Sequence, residues 1–160
     1  MQAVLISIHP KWCELIASGK KTVEVRKTKP KLETPFKCYI YCTKGETIYL
    51  PRDIFGKESL NGKVIGEFVC DRIYDLRYLP KEYYGKPVGT FEQFICENSC
   101  LSCDDIKAYG KGKAVYGWHI SDLKIYDKPR ELSEFSKYGF GHPVPLKRPP
   151  QSWMYVEVSE

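Results

Sequence analysis

Apolar residues in this chain come in short runs broken by Gly, Pro and polar clusters, and most of the runs read as strands. Val4, Leu5, Ile6 and Ile8 form a short β-branched run, the pattern of a buried strand. Pro10 then fits the first turn of a helix, where its missing N–H costs nothing. Trp12, Leu15 and Ile16 recur at helical spacing, and Gly19 ends that helix as a left-handed cap. From Thr22 to Lys27 the period changes to two, with Val23 and Val25 on one side and Thr22, Glu24 and Arg26 on the other. Phe36 to Thr43 alternates again, setting Tyr39, Tyr41 and Thr43 against Cys38, Ile40 and Cys42. Gly62 to Ile73 reads as one longer strand with a bulge at Gly66. Ala114 to Tyr126 reads as another strand, and Trp153 to Val158 as the last.

Two stretches break this rhythm. Residues 44–61 carry Gly45, Pro51 and Gly56 and read as an irregular insertion. Residues 75–112 are irregular too, with short helices expected over Phe91–Ile95 and, behind an Asp cap, Asp104–Tyr109. Five or six strands, an early helix and long loops predict an α+β fold, a mixed β-barrel with a few short helices, rather than a doubly wound sheet. The 160 residues suit one domain, spanning 1–160.

Composition adds a bias toward aromatics, with 12 Tyr, 7 Phe and 3 Trp. Aromatic residues build β-rich cores and also stack on bases. The formal net charge is a modest +5, but its placement is uneven. Lys11, Lys20, Lys21, Arg26, Lys27, Lys29, Lys31 and Lys37 face only Glu14, Glu24 and Glu33 in the first quarter of the chain. A basic surface of this kind attracts phosphates, and a solvated lysine face is the plainer reading. The opening apolar run lacks a basic leader and is too short to span a bilayer. With seven cysteines, an odd number, the expectation is a cytoplasmic protein with reduced thiols and no membrane association.

The densest chemistry lies in Gly19-Lys20-Lys21-Thr22-Val23-Glu24-Val25-Arg26. Two cations and a carboxylate sit at one loop–strand junction. A guanidinium at Arg26 holds phosphates or carbonyls through a forked contact. Lys21, if buried enough to shed its proton, activates water or attacks a carbonyl, with Glu24 orienting it or acting as general base. In a regular strand, however, Lys21 falls on the face of Val23, so a shared site needs a break before Thr22. The plainer reading is a structural ion pair between Glu24 and Arg26.

The spacing G-x-K-x-x-E-x-R at Gly19, Lys21, Glu24 and Arg26 resembles the signature of the ASCH family, a branch of the PUA-like β-barrels. The preceding Leu5-Ile6-Ser7-Ile8-His9-Pro10-Lys11-Trp12 is similar to the first strand and helix of such a domain. The strands at Gly62–Ile73 and Tyr116-Gly117-Trp118-His119-Ile120 stand in the right order, and the ending looks closest to phage and prophage members. The resemblance implies a PUA-like barrel whose cleft, lined by the motif, binds RNA or a nucleotide-like small molecule. Some members resemble deacetylases acting on N4-acetylcytidine, and others have been proposed as ribonucleases. In the deacetylase branch the lysine matching Lys21 is catalytic, and a threonine stands where this chain has Glu24.

Other residues qualify for the same cleft. Ser7 and His9 lie where the first strand meets the helix N-terminus, a position that favours anions or simply caps the helix. Trp118 and His119 are strand neighbours facing opposite ways, so one is placed to stack on a base while the other packs inward. Cys96, Cys100 and Cys103 have the spacing of an iron–sulfur motif in a chain too short for that barrel. A three-cysteine zinc site completed by Asp104 or His142 is the alternative, and unpaired thiols the plainer reading. The expectation is therefore no metal and no cofactor. The basic-aromatic tail Lys147-Arg148-Pro149-Pro150-Gln151-Ser152-Trp153 drapes over a nucleic acid or pins the last strand.

Three functions follow. The first is an RNA- or nucleotide-binding module, with Lys21 and Glu24 as the reactive pair and Arg26, Ser7, His9 and Trp118 as binding walls. The second is a small metal-independent hydrolase of a modified nucleoside amide or of RNA, centred on Lys21. The third is a phage-derived scaffold whose charges are spent on ion pairs and which has no cleft.

Overall fold

A computed structural model describes residues 1–45, 59–76, 82–83, 86–87 and 90–159. Most of the expected 44–61 insertion, and part of the 75–112 stretch, lie outside the described residues. The first strand, β1 (Gln2–Ile8), leads into α1 (Pro10–Ala17), then β2 (Val23–Arg26) and β3 (Phe36–Cys42). Next come β4 (Lys63–Cys70), β5 (Ile73–Asp75) and the two-residue strands β6 (Glu82–Tyr83) and β7 (Lys86–Pro87). Helices α2 (Phe91–Ser99) and α3 (Cys103–Gly110) precede β8 (Tyr116–His119), β9 (Ser121–Arg130), a 3-10 turn at Leu132–Glu134 and β10 (Trp153–Glu157).

The expected α+β class holds, but the barrel does not close. One sheet has the order β10-β1-β3-β4-β9 and a second has β2-β8-β5, with β6 and β7 forming a separate hairpin. β1 runs parallel to β3, with α1 and β2 in the connection, and its other pairings are antiparallel. Two expected long strands turn out to be pairs that change sheet. The Gly62–Ile73 run breaks at Asp71 and Arg72, leaving β4 in the large sheet and β5 in the small one. The 114–126 run breaks at Ile120 in the same way, into β8 and β9. Strands that cross from one sheet to the next make the corners of orthogonal packings. Ile120 is buried like Trp118 before it, so no polar residue stands at the second corner, whereas the charged pair Asp71 and Arg72 does interrupt the first run.

Alternation along β1 and β3 feeds two separate cores. Val4, Ile6, Ile8, Cys38, Ile40 and Cys42 face α1 and the small sheet, in a cluster that also holds Cys13, Ile16, Phe68 and Trp118. Ala3, Leu5, Tyr39 and Tyr41 face the other way, onto Phe135, Leu146 and Val156 from the C-terminal segment. A third cluster seats α2 and α3 on the small sheet through Val23, Val25, Leu76, Phe94, Ile106 and Val115.

Local sequence explains the helix ends. Gly19, at φ +78°, closes α1 in a Schellman turn: its N–H donates to Ile16 O and that of Lys20 to Leu15 O, both at 3.0 Å. Thr90 with Gln93, and Ser102 with Asp105, form capping boxes at the starts of α2 and α3. The cap of α3 is therefore Ser102 rather than an aspartate, and α2 runs four residues past its expected end. Gly66 is needed for contact, not for φ: a Cβ there would meet Lys124 O at 2.5 Å where the β4–β9 register slips.

Candidate functional site

The site occupies the seam where the two sheets fail to join. β2 is an edge strand of the small sheet, β10 is an edge strand of the large one, and Arg26 ties them together. Its Nη2 donates to Ser7 O at 2.6 Å, and its Nη1 to Ser152 Oγ, just before β10, at 3.2 Å. Ser7 completes the tie, donating its hydroxyl to Pro150 O at 2.7 Å and its N–H to Ser152 O at 2.9 Å.

Lys21 joins its motif partners because the chain is irregular where regular alternation would have separated them. The N–H of Lys21 still reaches back to Leu15 O at the end of α1, Thr22 N–H donates to Asn98 O in α2, and strand pairing starts only at Val23. The Lys21 side chain thereby lies on the Glu24–Arg26 face. Its Nζ stands 3.4 Å from Glu24 Oε2 and donates to Ser99 O at 2.6 Å. Glu24 Oε1 accepts from Arg26 Nη2 at 2.9 Å. The three residues are 2%, 5% and 9% exposed.

Such a triad is expensive to bury. Each ion loses several kcal/mol of hydration, and attraction within the triad returns that only with good geometry and further hydrogen bonds. The carbonyls of Ser99 and Ser7 supply some of these, while Arg26 Nε is buried with no acceptor. An apolar strand face would pack here without that cost, so the charges mark a position kept for more than stability.

Above the triad lies a cavity of about 450 Å³, within the usual range for small-molecule sites. Ser7 and His9 line it at the β1–α1 junction, as expected from the sequence. Neither caps the helix. His9 is the N-cap residue without a side-chain cap bond, and its Nδ1 contacts Thr43 Oγ1 at 3.3 Å. Lys21, Glu24 and Arg26 all line the cavity. Trp118 does not. It is fully buried, edge-on to Phe36 and tilted against Trp153, so its place as a binding wall is corrected to a core position.

The aromatic walls are Trp12, from α1, and Tyr109, from the end of α3. Lys21 Nζ sits 5.0 Å from the Trp12 ring centroid and Lys11 Nζ 4.7 Å from it, both cation–π distances. Sequence reasoning assigned Trp12 to the helix core, passed over Tyr109 as a wall, and named Gln151 and Ser152 only as part of the tail. Tryptophan beside lysine just after a helix-starting proline was the available signal for Trp12. Ser152 had none, since it reaches the site only through the pairing of β10 with β1. The plainer reading of the tail is also met here, because Pro150 and Ser152 pin the last strand to the site.

Asp105 lines the cavity as well, but its carboxylate serves the α3 cap. The Ser102 backbone N–H and hydroxyl hold it below the ordinary carboxylate range. Among the described residues the lining carries two cations and two carboxylates, counting Asp105, while Lys11 and Lys27 lie against the rings of Trp12 and Tyr109 at 4.7 Å.

Among the described residues no three His, Cys, Asp or Glu side chains cluster as a metal site. The side chain of Cys96 lies outside the described residues, and Cys100 Sγ contacts Lys20 O at 3.6 Å. In the core, burial pushes the Cys38 thiol well up and that of Cys70 up to about 12, so both stay protonated and unreactive. No described helix is long and apolar enough to cross a membrane.

Residues 6–140 match the model of the ASCH domain. The chain belongs to the ASCH family. This family is associated with RNA binding, and its members share the PUA-like fold. No curated protein matches the chain. Among solved structures, ASCH from Zymomonas mobilis is similar at 21% identity and a TM-score of 0.56, covering 97% of this chain and 87% of that one. Two single-site mutants of the Zymomonas protein align with TM-scores of 0.60 and 0.54, at 21% and 19% identity, over 97% of this chain and 88% and 90% of theirs. At these identities the likeness speaks for the fold. The matched stretch of the ASCH domain contains the triad, Ser7, His9 and Trp12, and ends before Gln151 and Ser152.

Proposed function

We propose that the cleft binds one nucleotide unit of RNA, or a free nucleotide-like molecule, with its base against the aromatic walls and its polar edge toward the triad. The observation that carries this reading is the triad itself, three buried charged side chains under an aromatic-walled cavity of about 450 Å³. A nucleobase presents a flat π-face and an edge of alternating donors and acceptors. Trp12 and Tyr109 suit the face, since stacking on an aromatic side chain contributes about 1–3 kcal/mol per base. A carboxylate beside a guanidinium suits the edge, because carboxylates accept from exocyclic amines and Arg donates to carbonyls and ring nitrogens. A balanced set of charges discriminates by pairing rather than by net attraction.

Equilibrium titration with short ribo-oligonucleotides at low salt tests this reading. Binding that weakens on Lys21→Ala and on Arg26→Ala supports it, provided both variants are folded. No binding by the folded wild type at low salt refutes it.

A second reading, hydrolysis of a modified nucleoside amide, draws on a different observation. Lys21 Nζ and Glu24 Oε2 form an ion pair at 3.4 Å on the cavity lining, and Oε2 is buried without a hydrogen-bond donor. Lys21 would then be the central group and Glu24 its partner, with no metal. Acetate release from N4-acetylcytidine, lost on Lys21→Ala, is its signature. The scaffold reading expected ion pairs without a cleft; the ion pairs are present, and the cavity above them counts against it.

A further inference from the structure

A second cluster of cations lies one short segment away from the cleft. Lys137, Lys147 and Arg148, with Val144 and Pro145, line a cavity of about 530 Å³. All three cations are exposed, and none makes an ion pair or a side-chain hydrogen bond among the described residues. The nearby carboxylate of Glu157 is already engaged by the Met1 amino group at 3.3 Å and by Gly139 N–H at 3.2 Å.

The backbone beneath these cations is held in place. Lys137 N–H donates to Val144 O at 3.0 Å, Leu146 N–H to Phe135 O at 2.8 Å, and Glu157 N–H to Ser136 O at 2.9 Å. Residues 135–148 thus form a hairpin-like tongue laid along β10, with Leu146 and Phe135 buried against the large sheet. Its turn carries two of the few exposed large apolar side chains among the described residues, Tyr138 and Phe140, at 42% and 54% exposure. Unpaired cations beside exposed aromatics are what a single-stranded nucleic acid recognises, backbone on the cations and bases on the rings.

Distance links the two sites. From Arg148 to Gln151, which lines the cleft, is three residue steps, at most about 11 Å of chain. Stacked nucleotides advance about 3.4 Å each along one strand, so that span is at most about three nucleotides. The cations that line the cleft are matched by carboxylates, whereas Lys137, Lys147 and Arg148 have no such partner among the described residues.

We infer that Lys137, Lys147 and Arg148 form a phosphate subsite for the backbone of a single-stranded RNA whose base occupies the cleft. The ligand is then an oligonucleotide rather than a free nucleoside, and about three residues suffice to reach both sites. This inference rests on the nucleotide reading of the cleft. Lys147 and Arg148 lie beyond the stretch matched to the ASCH domain, so the subsite belongs to this chain's own C-terminal segment.

The test compares a ribopentanucleotide with ribonucleoside monophosphates, titrated into wild type, Lys147→Ala/Arg148→Ala and Arg26→Gln across a salt series. The tongue variant is expected to bind the pentanucleotide with a salt slope smaller by about 1.4, two contacts at about 0.7 each, and about tenfold more weakly near 50 mM salt. Its mononucleotide binding is expected to match wild type. Arg26→Gln is expected to weaken both ligands and keep the wild-type slope to within one contact. An unchanged slope in the tongue variant overturns the subsite while leaving the cleft standing. A slope that falls in the tongue variant with no effect of Arg26→Gln overturns the cleft reading and leaves the tongue. Binding of anionic lipid vesicles but not of the pentanucleotide overturns both.

Discussion

Two clusters of charge are joined by the segment 147–152, which carries Lys147 and Arg148 at one end and meets Arg26 through Ser152 at the other, and they are built on opposite principles. Lys21, Glu24 and Arg26 are buried, mutually paired and fixed by backbone carbonyls. Lys137, Lys147 and Arg148 are exposed and, among the described residues, unpaired on an anchored backbone. Buried charge in a low-dielectric site is strong, directional and insensitive to salt, so it serves orientation. Exposed charge is screened and undirected, so it serves attraction. A protein that must both gather a polyanion and read one unit of it needs both kinds, and here they lie side by side.

The largest expected effect follows from removing the carboxylate that the buried cluster turns on. Glu24→Ala leaves two cations facing each other in a site less than a tenth exposed. It should cost about 3–5 kcal/mol of unfolding free energy in denaturant titration. A loss below about 1 kcal/mol would mean that water already neutralises the triad, and the contrast with the exposed cluster would fail.

A packing lesion remote from both clusters separates stability from binding. Gly66→Ala forces a Cβ against Lys124 O and Ile125, at an expected cost of about 1–3 kcal/mol. Nucleotide affinity of the folded fraction should be unchanged, as measured by titration well below the melting temperature.

A third cluster, Glu67 with Lys37 and Tyr126, is intermediate in exposure and tests how burial sets pH sensitivity. Burial works to raise the Glu67 pKa. The Tyr126 hydroxyl, at 2.6 Å, and Lys37, at 3.2 Å, outweigh it, so the carboxyl titrates below its ordinary value of about 4.5. A folded-state pKa that is depressed contributes stability above the unfolded value and loses it as pH falls through the folded one. Glu67→Gln should therefore flatten the part of the stability profile below about pH 4.5 and leave the neutral plateau's shape intact. An acid limb identical to wild type would show that Glu67 carries no share of it.

The smallest effect on the fold is expected at the exposed cluster. Lys147→Ala/Arg148→Ala should change unfolding free energy by no more than about 0.5 kcal/mol, while RNA binding loses salt dependence.

Much of the large sheet was legible in the sequence. Strict alternation at Tyr39, Ile40, Tyr41 and Cys42 assigned two faces, and both cores use them as expected. The barrel was not legible as open, because the corner at Ile120 carries no polar break and the charged pair Asp71 and Arg72 reads equally well as exposed positions within one strand. The triad was visible as a motif, but its geometry was not, since alternation alone put Lys21 on the wrong face. The Schellman turn at Gly19 and the late start of β2 correct that, and only the Gly19 half was written in the sequence. Trp118 misled for the opposite reason. A tryptophan beside a histidine looks like a stacking residue, yet β8 is the middle strand of the small sheet and that side chain faces the core. Ser152 stayed hidden because its partner Arg26 is distant in the chain and no pattern links them.

A structure of the protein bound to a short ribo-oligonucleotide tests the division of labour most directly. One base is expected between Trp12 and Tyr109, with its edge within hydrogen-bond reach of Glu24 or Arg26 and a flanking phosphate among Lys137, Lys147 and Arg148. A strand lying elsewhere, with the cleft open and the triad undisturbed, would contradict it.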